Sequence, residues 1–583
     1  MDIATGVGRE RPLRNPWALR VIACAAVALT ASIAAAAAPS AFQQSTYFGG
    51  GGDEHARKCV FDPSTCDIVC VGAATSGHVL GTAGGAQPDP AGLGDGWVAR
   101  LSGDLTTIRQ ATYIGGSQTD RAEGVVIDPA SGDIVVAGIT SSATLPGLSN
   151  AAQPQRGGGD DAFVARFSGD LRTLRGTTYL GGTANEGGNV VGLAIEPGSG
   201  VVLVAGSTQS NDFPGTQGGA FGSPSGSFVA RLSGDLSTLE QASYVNAVPT
   251  QINDVLVHPT SGDIVLGGRS VYPGGRQTGL LTAFAADLRS ALGSVDIGAV
   301  GYCAVWALAV DPASGDVIGA GEIDNALGEA AAGSAQPNYS GGSDAFAIRV
   351  SADLATVRRA TYLGGNGFER GYGVSLGSSG EIFVTGITQS AAFPGLAGGA
   401  QSELHGVQDG FVVRLNPDLT ELRQSTLVGG ARYDTAYWLA TCPESGDLVL
   451  SGYTDSADFP ATAGGAQPTI ERGAFSNSAG FAMRLGAALT GGVATPTPTP
   501  TTPTLSTATP TGTPTVPVTP GGSCVGDCNG DGAVTVNELI TGVNIALDQA
   551  SLSACPSFDS SGDGAVAVNE LISAVSNALN GCS

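Results

Sequence analysis

The chain is poor in charged residues, and basic residues are the scarcer kind. Charged residues make up 13% of the 583 positions, against about 25% in ordinary soluble domains. Lys and Arg together number 26, Asp and Glu number 51, and the formal net charge is −25. This excess of acid argues against nucleic acid or anionic lipid head groups as ligands held by charge attraction.

Long hydrophobic runs are also scarce, and the only long one lies near the N-terminus. Val21 to Ala38 is apolar, arginines precede it, and small residues follow it as far as Ala41. This order is typical of a secretory signal peptide, which we expect over residues 1–41 with cleavage near Ala38 or Ala41. No second run is long enough to span a bilayer. The sequence therefore predicts an exported, secreted protein that does not span a membrane.

Motifs that mark familiar enzymes are missing as well. There is no His-Glu-x-x-His and no phosphate-binding loop, and the one Gly-x-Ser-x-Gly match, Gly373 to Gly377, falls in a strand and turn of a repeated unit, so we do not expect it to be a nucleophile elbow. The four histidines stand in unrelated contexts, and we expect each to be a surface turn residue: His55, His78, His258 and His405. The sequence therefore gives no catalytic set and no site for an organic cofactor.

Glycine is abundant, with 90 residues, and much of it belongs to an internal repeat. One signature is Thr-Tyr-x-Gly-Gly, as at Thr361 to Gly365. A second is an Asp-Pro-x-Ser-Gly-Asp turn between apolar runs, clean at Asp128 to Asp133 and Asp311 to Asp316. A third is an aromatic strand that ends in Arg-Leu, and its aromatic residue recurs at Trp97, Phe163, Phe228, Phe284, Phe346, Phe411 and Phe481. Each signature counts seven copies, with a period near 66 residues.

Each repeat contains four short Val/Ile/Tyr/Phe-rich segments separated by Gly, Pro and Asp turns, which predicts four β-strands. Four strands in seven copies predict an all-β, seven-bladed propeller over residues 42–490. Phe42–Phe48 is a Thr-Tyr strand without its repeat, and the last repeat stops after Phe481–Leu485, where such a strand should follow. We therefore expect the two termini to pair in one blade and to close the ring.

The repeats resemble the bacterial β-propeller repeat family called SBBP. The matching segments are Thr-Tyr-Leu-Gly-Gly (361–365), Ile-Val-Val-Ala-Gly-Ile-Thr (134–140), Phe-Pro (213–214, 393–394, 459–460) and Asp-Ala-Phe-Val-Ala-Arg (161–166). The resemblance covers about residues 42–489. It implies a propeller without implying a particular activity.

An acidic residue recurs after the Thr-Tyr-x-Gly-Gly signature: Asp53, Asp120, Glu186, Glu369 and Asp434. One interpretation makes these acids turn caps on a solvated rim. The other makes them an acidic ring on one propeller face that binds a cation or a glycan.

A Thr/Pro-rich stretch, residues 491–522, predicts an extended linker. Beyond it, residues 523–583 contain two twelve-residue loops with the oxygen-ligand spacing of a calcium-binding EF-hand. The first supplies Asp527, Asn529, Asp531, the carbonyl of Ala533, Thr535 and Glu538; the second supplies Asp559, Ser561, Asp563, the carbonyl of Ala565 and Glu570. Ala567 has no side-chain oxygen, so water would serve at its position. Amphipathic helices are predicted at Asn537–Leu547 and Asn569–Leu579.

This duplicated loop and helix resembles the type I dockerins over residues 524–582, which implies calcium binding and a cohesin partner. Loop positions 10 and 11 are Val536-Asn537 and Val568-Asn569, unlike the Ser/Thr pair of cellulosomal members. A cohesin-like partner is therefore only one candidate. Four cysteines bracket the segment and are expected to form two disulfides with three pairings open: Cys524, Cys528, Cys555 and Cys582.

The first repeat carries a further cysteine pair. If Asp62 and Asp67 face each other across its turn, Cys59 faces Cys70, where the second repeat has Val125 and Val136. A disulfide is expected there, and two buried free thiols are the alternative.

Two function classes stay open. The first is a secreted binding scaffold with an unknown protein or glycan ligand on the propeller and a calcium-dependent docking segment. The second is a propeller enzyme acting on extracellular glycans. A pair of carboxylates that breaks the repeat inside the central funnel would favour the enzyme.

Overall fold

The computed structural model describes residues 41–49, 52, 54–75, 77–186, 192–224, 226–245, 248–298, 301–470, 478–490, 524–528, 533–546, 551–560, 566 and 568–580. The chain divides into two compact units, one spanning Ala38–Ala494 and the other including Thr495–Ser583. They are described separately. The predicted leader, the linker and the loop residues Asn529, Asp531, Ser561, Asp563 and Ala565 lie outside the described residues.

The larger unit is a seven-bladed β-propeller, as predicted. Six blades are four-stranded antiparallel sheets built from consecutive strands. The first two blades are β2(His55–Phe61), β3(Ile68–Ala74), β4(Asp95–Leu101), β5(Ile108–Ile114), then β6(Asp120–Ile127), β7(Ile134–Thr140), β8(Asp161–Phe167), β9(Leu174–Leu180). The next two are β10(Gly192–Ile195), β11(Val202–Ser207), β12(Ser227–Leu232), β13(Leu239–Tyr244), then β14(Thr250–Val257), β15(Ile264–Val271), β16(Gln277–Phe284), β17(Ala291–Ile297). Blades 5 and 6 are β18(Cys303–Val310), β19(Val317–Ile323), β20(Asp344–Val350), β21(Val357–Leu363), then β22(Glu369–Leu376), β23(Ile382–Thr388), β24(Asp409–Leu415), β25(Leu422–Val428).

Blade 7 is closed by the two ends of the propeller sequence. It consists of β26(Asp434–Thr441), β27(Leu448–Thr454), β28(Ala479–Leu485) and, as its outer strand, β1(Phe42–Phe48). Strand β1 runs antiparallel to β28, with Phe42 opposite Leu485 and Tyr47 opposite Phe481. The predicted closure is therefore confirmed. Tyr47 is completely buried, so the closing strand also contributes to the core.

Blade-to-blade packing depends on a strained leucine that follows each Ser-Gly-Asp-type turn. Leu105, for example, has φ +58 and is completely buried, and its carbonyl accepts the N–H of Ala466 in the neighbouring blade at 2.9 Å. A left-handed leucine costs about 1–2 kcal/mol, and burial of its side chain returns about 1.5–3 kcal/mol. The equivalents in the other blades have the same φ sign: Leu171, Leu236, Leu288, Leu354, Leu419 and Leu489.

The predicted register of the first hairpin is confirmed. Cys59 lies opposite Cys70, and the two form a disulfide. At the same position of blade 2, Val125 lies opposite Val136. The cystine therefore replaces a buried apolar pair.

The strand register of the fourth repeat differs from the register that the sequence spacing predicts. Leu280, opposite Gly268, occupies the place of Trp97, whereas Phe284 occupies the place of Leu101. The predicted aromatic equivalence of Phe284 is therefore wrong. This repeat lacks the Gly-Gly-Ala-Gln-Pro loop, and β15 and β16 are each eight residues long, so strand pairing rather than spacing sets its register.

The C-terminal unit contains two α-helices, α1(Val536–Ala546) and α2(Val568–Asn580), close to the predicted bounds. Short 3-10 turns lie between them at Leu552–Ala554 and Pro556–Phe558. Phe558 and Ala574 are completely buried in a small apolar core. Cys528 is bonded to Cys555, one of the pairings left open, and Cys524 is also disulfide-bonded. Within the described part of the chain, no helix is long and apolar enough to cross a membrane.

Candidate functional site

The inner strands of six blades each carry a β-bulge whose extra residue lines the space around the propeller axis. In β2, for instance, Ala56 pairs with Gly72 and Lys58 with Val71, so that Arg57 is the extra residue. Bulges of this kind bend a strand and redirect a side chain. The extra residues in six blades are Arg57, Glu123, Asn253, Trp306, Tyr372 and Tyr437.

These six residues surround one cavity of about 270 Å³. The residues that follow three of the bulges, Lys58, Asp254 and Trp438, also line it, together with Arg370. At the turn and strand signatures the blades repeat nearly the same residue, but here each of the six blades contributes a different set. We call this space the axial cavity. Its side chains are specific to single blades, which is the pattern expected of a site rather than of a scaffold.

Three consecutive blades give the axial cavity an aromatic wall. The ring centroids of Trp306 and Tyr372 are 5.5 Å apart, those of Tyr372 and Tyr437 are 5.3 Å apart, and both pairs are edge-to-face. The Arg370 guanidinium lies 5.4 Å from the Trp306 ring centroid and donates to the Tyr372 hydroxyl at 2.9 Å. Arg370 is also paired with the buried Glu322. The wall is therefore apolar on its faces and held in place by a paired cation.

The other blades supply charge. The Glu123 side chain is only 2% exposed and lies 3.3 Å from Arg57 and 3.8 Å from Arg121. Burial raises the pKa of Glu123, and the two arginines oppose that shift. Asn253 donates to the carbonyl of Val305 at 2.8 Å, and its Oδ1 has no hydrogen-bond partner among the described residues. The cavity thus offers an amide acceptor beside a buried ion pair.

The only lysine of the whole chain, Lys58, lies in this cavity. Its Nζ is 3.8 Å from the centroid of a Trp438 ring. Burial lowers the pKa of Lys58, and the charge of Asp254 opposes this. Asp254 accepts the backbone N–H groups of Val255 and Leu308, and burial raises its pKa while Lys58 opposes that rise. Lys58 and Asp254 therefore attract each other across the cavity, but they are not in direct ion-pair contact.

The sequence prediction missed the axial cavity residues, although a signal for them exists. When the seven repeats are aligned, the position of Arg57 is the one where residue type changes from basic to acidic, amide and aromatic. Single strands do not display this signal, because a bulge is one inserted residue in an otherwise alternating pattern.

The recurring acids occupy a different place. Asp120, Glu186, Glu369 and Asp434 are at most 1% exposed, so these four acids form neither an open acidic ring for a cation or glycan nor a solvated rim. Asp120 accepts the Gly116 N–H at 2.7 Å and the Ser142 hydroxyl at 2.8 Å. The other three accept the equivalent glycine N–H. They are turn caps, as the other interpretation held, but they are buried because the neighbouring blade covers them. Asp53 lies outside the described residues.

Each of these four acids faces a second buried acid from the preceding blade: Asp95, Asp161, Asp344 and Asp409. All four are completely buried, and the Oδ1 of each has no hydrogen-bond partner within the described ranges. Burial, together with the facing carboxylate, raises the pKa of Asp95 and Asp161 to about 6 and of Asp344 and Asp409 to about 7. We call these the junction acids, and their arrangement is that of structural carboxyl groups.

Two histidines depart from the expected surface turns. His55 lies on β2, half-buried, with its ring 4.8 Å from that of Tyr453. His258 lies at a turn, but it is only 5% exposed, and its Nε2 is 2.9 Å from the Gly315 carbonyl oxygen.

In the C-terminal unit, the glutamates at loop position 12 are buried at the starts of the two helices. Glu538 accepts the Cys528 N–H at 2.9 Å and the Thr535 N–H at 2.8 Å. Glu570 is 1% exposed and accepts the Ser560 hydroxyl at 3.2 Å. Both glutamates thus turn back towards position 2 of their own loop. Asp527, Ala533 and Asp559 are described at the loop edges, whereas Asn529, Asp531, Ser561, Asp563 and Ala565 are not.

No protein-family model matches this chain, and no curated protein is similar to it.

Proposed function

We propose that the protein is a secreted, non-enzymatic binding protein whose propeller holds a small glycan in the axial cavity. The observation that carries this proposal is the concentration of blade-specific side chains at the bulges of an otherwise regular repeat. A cavity of about 270 Å³ is slightly smaller than typical ligand pockets, which span about 300–1,000 Å³. It therefore suits a small ligand better than a protein surface.

The chemistry of the lining favours a sugar. The C–H face of a sugar ring packs on aromatic side chains, while its hydroxyl groups need nearby donors and acceptors. Trp306 and Tyr437 supply the aromatic faces, Arg57 supplies N–H donors, and Asn253 supplies an acceptor. A few polar groups in an aromatic-lined cavity are typical of specific small-molecule sites.

A glycan array probed with the full chain tests this proposal. We expect Trp306→Ala and Tyr437→Ala to weaken binding to the recognised glycan at least tenfold. Tyr433→Ala is the matched control, because Tyr433 is an exposed aromatic residue (45%) that is not among the residues lining the cavity. Equal binding by all four proteins, or binding to no glycan, would contradict the proposal.

Lys58 provides a second readout. Because Lys58 is the only lysine, reductive methylation modifies one side chain besides the N-terminal amine. The bound glycan should slow methylation of Lys58 several-fold and leave the N-terminal amine unchanged. Unchanged methylation in the presence of a glycan that binds would place the glycan elsewhere.

We also propose that residues 523–583 are a calcium-binding, dockerin-like docking segment, with a cohesin-like protein as one candidate partner. The support is the pair of loops, each followed by a helix, and the buried glutamates Glu538 and Glu570 at position 12. Calorimetric titration of the full chain with Ca²⁺ should show two sites, which the double variant Glu538→Gln/Glu570→Gln should lose. Glu421→Gln is the control, since the side chain of Glu421 is 64% exposed on the propeller. Equal titration of all three proteins would refute the assignment.

One observation favours the alternative, a propeller enzyme acting on glycans. Glu123 and Asp254 are carboxylates that break the repeat and line the same axial cavity. Each, however, faces a cation, Arg57 or Lys58. If the recognised glycan is hydrolysed, and Glu123→Gln and Asp254→Asn abolish hydrolysis while binding persists, the enzyme is the correct assignment.

A further inference from the structure

Two cysteines break the repeat at neighbouring positions of the Asp-Pro-x-Ser-Gly-Asp turn. Cys66 has φ +52 and donates its N–H to the carbonyl of Asp62 at 2.8 Å. In five other blades the residue that makes this turn bond is glycine: Gly132, Gly200, Gly262, Gly315 and Gly446. In blade 6 it is also a glycine with positive φ, Gly380, which bonds three residues back to Gly377. Only glycine adopts this backbone region without strain. A cysteine here has a conformational cost that its side chain must offset.

Cys442 occupies the first position of the same turn in blade 7. In blade 2 the residue at that position, Asp128, binds Arg166, and in blade 5 it is Asp311, which binds Arg349. In blade 7 the equivalent arginine, Arg484, is bound at 2.6 Å by Asp447 at the other end of the turn. The Cys442 side chain is therefore not needed to hold the arginine.

The two thiols meet where the first and last blades join. Cys66 packs against an apolar cluster that contains Cys442 together with Val449 and Ala482 of blade 7. The equivalent two turn positions also lie close together where blade 4 meets blade 5. A Cβ added at Gly315 would lie 3.0 Å from Nε2 of His258, the first turn residue of the preceding blade. The fold thus directs a side chain at the Cys66 position onto the residue at the Cys442 position.

We infer that Cys66 and Cys442 form a disulfide in the exported protein, which links blade 1 covalently to blade 7. This inference rests on export to an oxidising compartment and not on the identity of the ligand. The oxidant is a disulfide of the thiol–disulfide exchange class. One thiolate attacks a sulfur of that disulfide, and the second thiolate then displaces the oxidant. One S–S bond forms, one breaks, and the oxidant leaves as two thiols carrying the two electrons and two protons.

Cys66 and Cys442 differ in the pKa of their thiols and in their exposure to solvent. Burial opposes ionisation of Cys442, but hydrogen bonds from Cys66 and the Ser445 region outweigh it and hold its pKa below that of an ordinary thiol. Burial and the neighbouring Cys442 raise the pKa of Cys66 to about 11. Cys442 is only 1% exposed, whereas Cys66 is partly exposed and gives the oxidant access.

Such a bond would reinforce the non-covalent closure by β1. The chain between Cys66 and Cys442 includes most of the propeller, and cross-links over long stretches restrict the unfolded chain most. The outer strand of blade 7 and the turns beside its inner strand would then both hold the ring closed.

Peptide mapping tests the bond directly. The full chain is exported from a host with an oxidising compartment, alkylated without reduction and digested with trypsin, which cuts after Lys58, Arg100, Arg432 and Arg472. We expect fragment 59–100 to be cross-linked to fragment 433–472. The Cys59–Cys70 bond serves as the marker of oxidation, and Cys303, a completely buried free thiol, should be released unlinked. Finding Cys59–Cys70 oxidised while Cys66 and Cys442 are both alkylated would overturn the inference.

Two variants restore the residues of the other blades and give a second test. Cys442→Asp and Cys66→Gly should lower the melting temperature of the oxidised protein by on the order of 5 °C. With dithiothreitol present, Cys66→Gly should melt at or above the wild-type temperature, because glycine relieves the left-handed backbone. Cys303→Ala is the control and should show no redox-dependent difference from wild type. A Cys66→Gly effect that is the same in both redox states would also overturn the inference.

Discussion

At the junctions between blades the same residue types recur from blade to blade, whereas at the propeller axis the residue type changes from blade to blade. At four junctions the same acid pair recurs behind the same Gly-Gly turn, completely or almost completely buried. At the axis the bulged position changes from Arg57 to Glu123, to Asn253 and then to aromatic residues. The junction acids stabilise the common scaffold, whereas the axial residues differ without changing it. In a repeat protein the candidate site is therefore marked by residues that depart from the repeat and not by the residues that recur.

The other three junctions depart from this acid pair. Where the first acid is replaced by Thr250, its facing residue is Ser227, and where it is replaced by Cys303, the facing position holds Thr278. Both acids are thus lost together in blades 3 to 5. Where blade 7 meets blade 1, however, Glu54 is completely buried in the place of Asp120, whereas Ala479 takes the place of Asp95, so the two acids are not always lost together.

The largest effect should come from opening the ring. Deletion of Phe42–Phe48 removes the outer strand of blade 7, exposes the edge of β28 and empties the buried positions of Tyr47 and Phe48. Loss of two buried aromatic side chains predicts a drop of more than about 5 kcal/mol in the free energy of unfolding. Denaturant unfolding of the full chain measures it. A propeller that unfolds at the wild-type midpoint would disprove closure by the termini.

The next largest loss of unfolding free energy should come from substituting the glycines that lie beside the junction acids. A Cβ at Gly429 would lie 2.4 Å from Oδ1 of Asp409 and 2.9 Å from Oδ2 of Asp434. Because both neighbours are buried and cannot move away freely, Gly429→Ala should cost about 3 kcal/mol. Gly222→Ala is the control, since no atom lies within 4 Å of the added Cβ, and its effect should stay below about 0.5 kcal/mol. Equal unfolding free energies for the two variants would remove the distinction between scaffold and exposed glycines.

The junction acids predict that stability falls as pH rises. Burial and the charge of Glu369 raise the folded-state pKa of Asp344 to about 7, whereas an unfolded Asp titrates near 3.9. The folded protein therefore holds a proton that the unfolded chain has lost, so its stability decreases from about pH 4 up to about pH 7 and then levels off. Asp344→Asn should remove about 2 kcal/mol of the decrease between pH 5 and pH 8 in thermal or denaturant unfolding. The same pH profile in wild type and variant would contradict the assignment.

The smallest effect on stability should come from the axis. Trp306 is half-buried, and its Nε1 has no hydrogen-bond partner in the described ranges. Trp306→Phe therefore removes no hydrogen bond and should change the free energy of unfolding by less than about 1 kcal/mol. A loss as large as that expected for Gly429→Ala would show that the axial residues belong to the scaffold.

The number of blades, the closing strand and the Cys59–Cys70 bond were all predictable from local sequence patterns. Turn signatures and alternating strands act over a few residues, and a fixed period carries them around the ring. The sequence also predicted the helix positions of the C-terminal unit within about one residue, because capping acids and 3.6-residue periodicity are local signals.

Contacts between residues far apart in the sequence became apparent only in the folded structure. The axial cavity needs one bulged residue from each of six blades, and no local pattern distinguishes a bulge from a regular strand residue. The register of blade 4 followed strand pairing instead of spacing, and the recurring acids proved buried because the neighbouring blade covers them. Cys66 and Cys442 come together only because the ring closes, which places the two ends of a long sequence side by side.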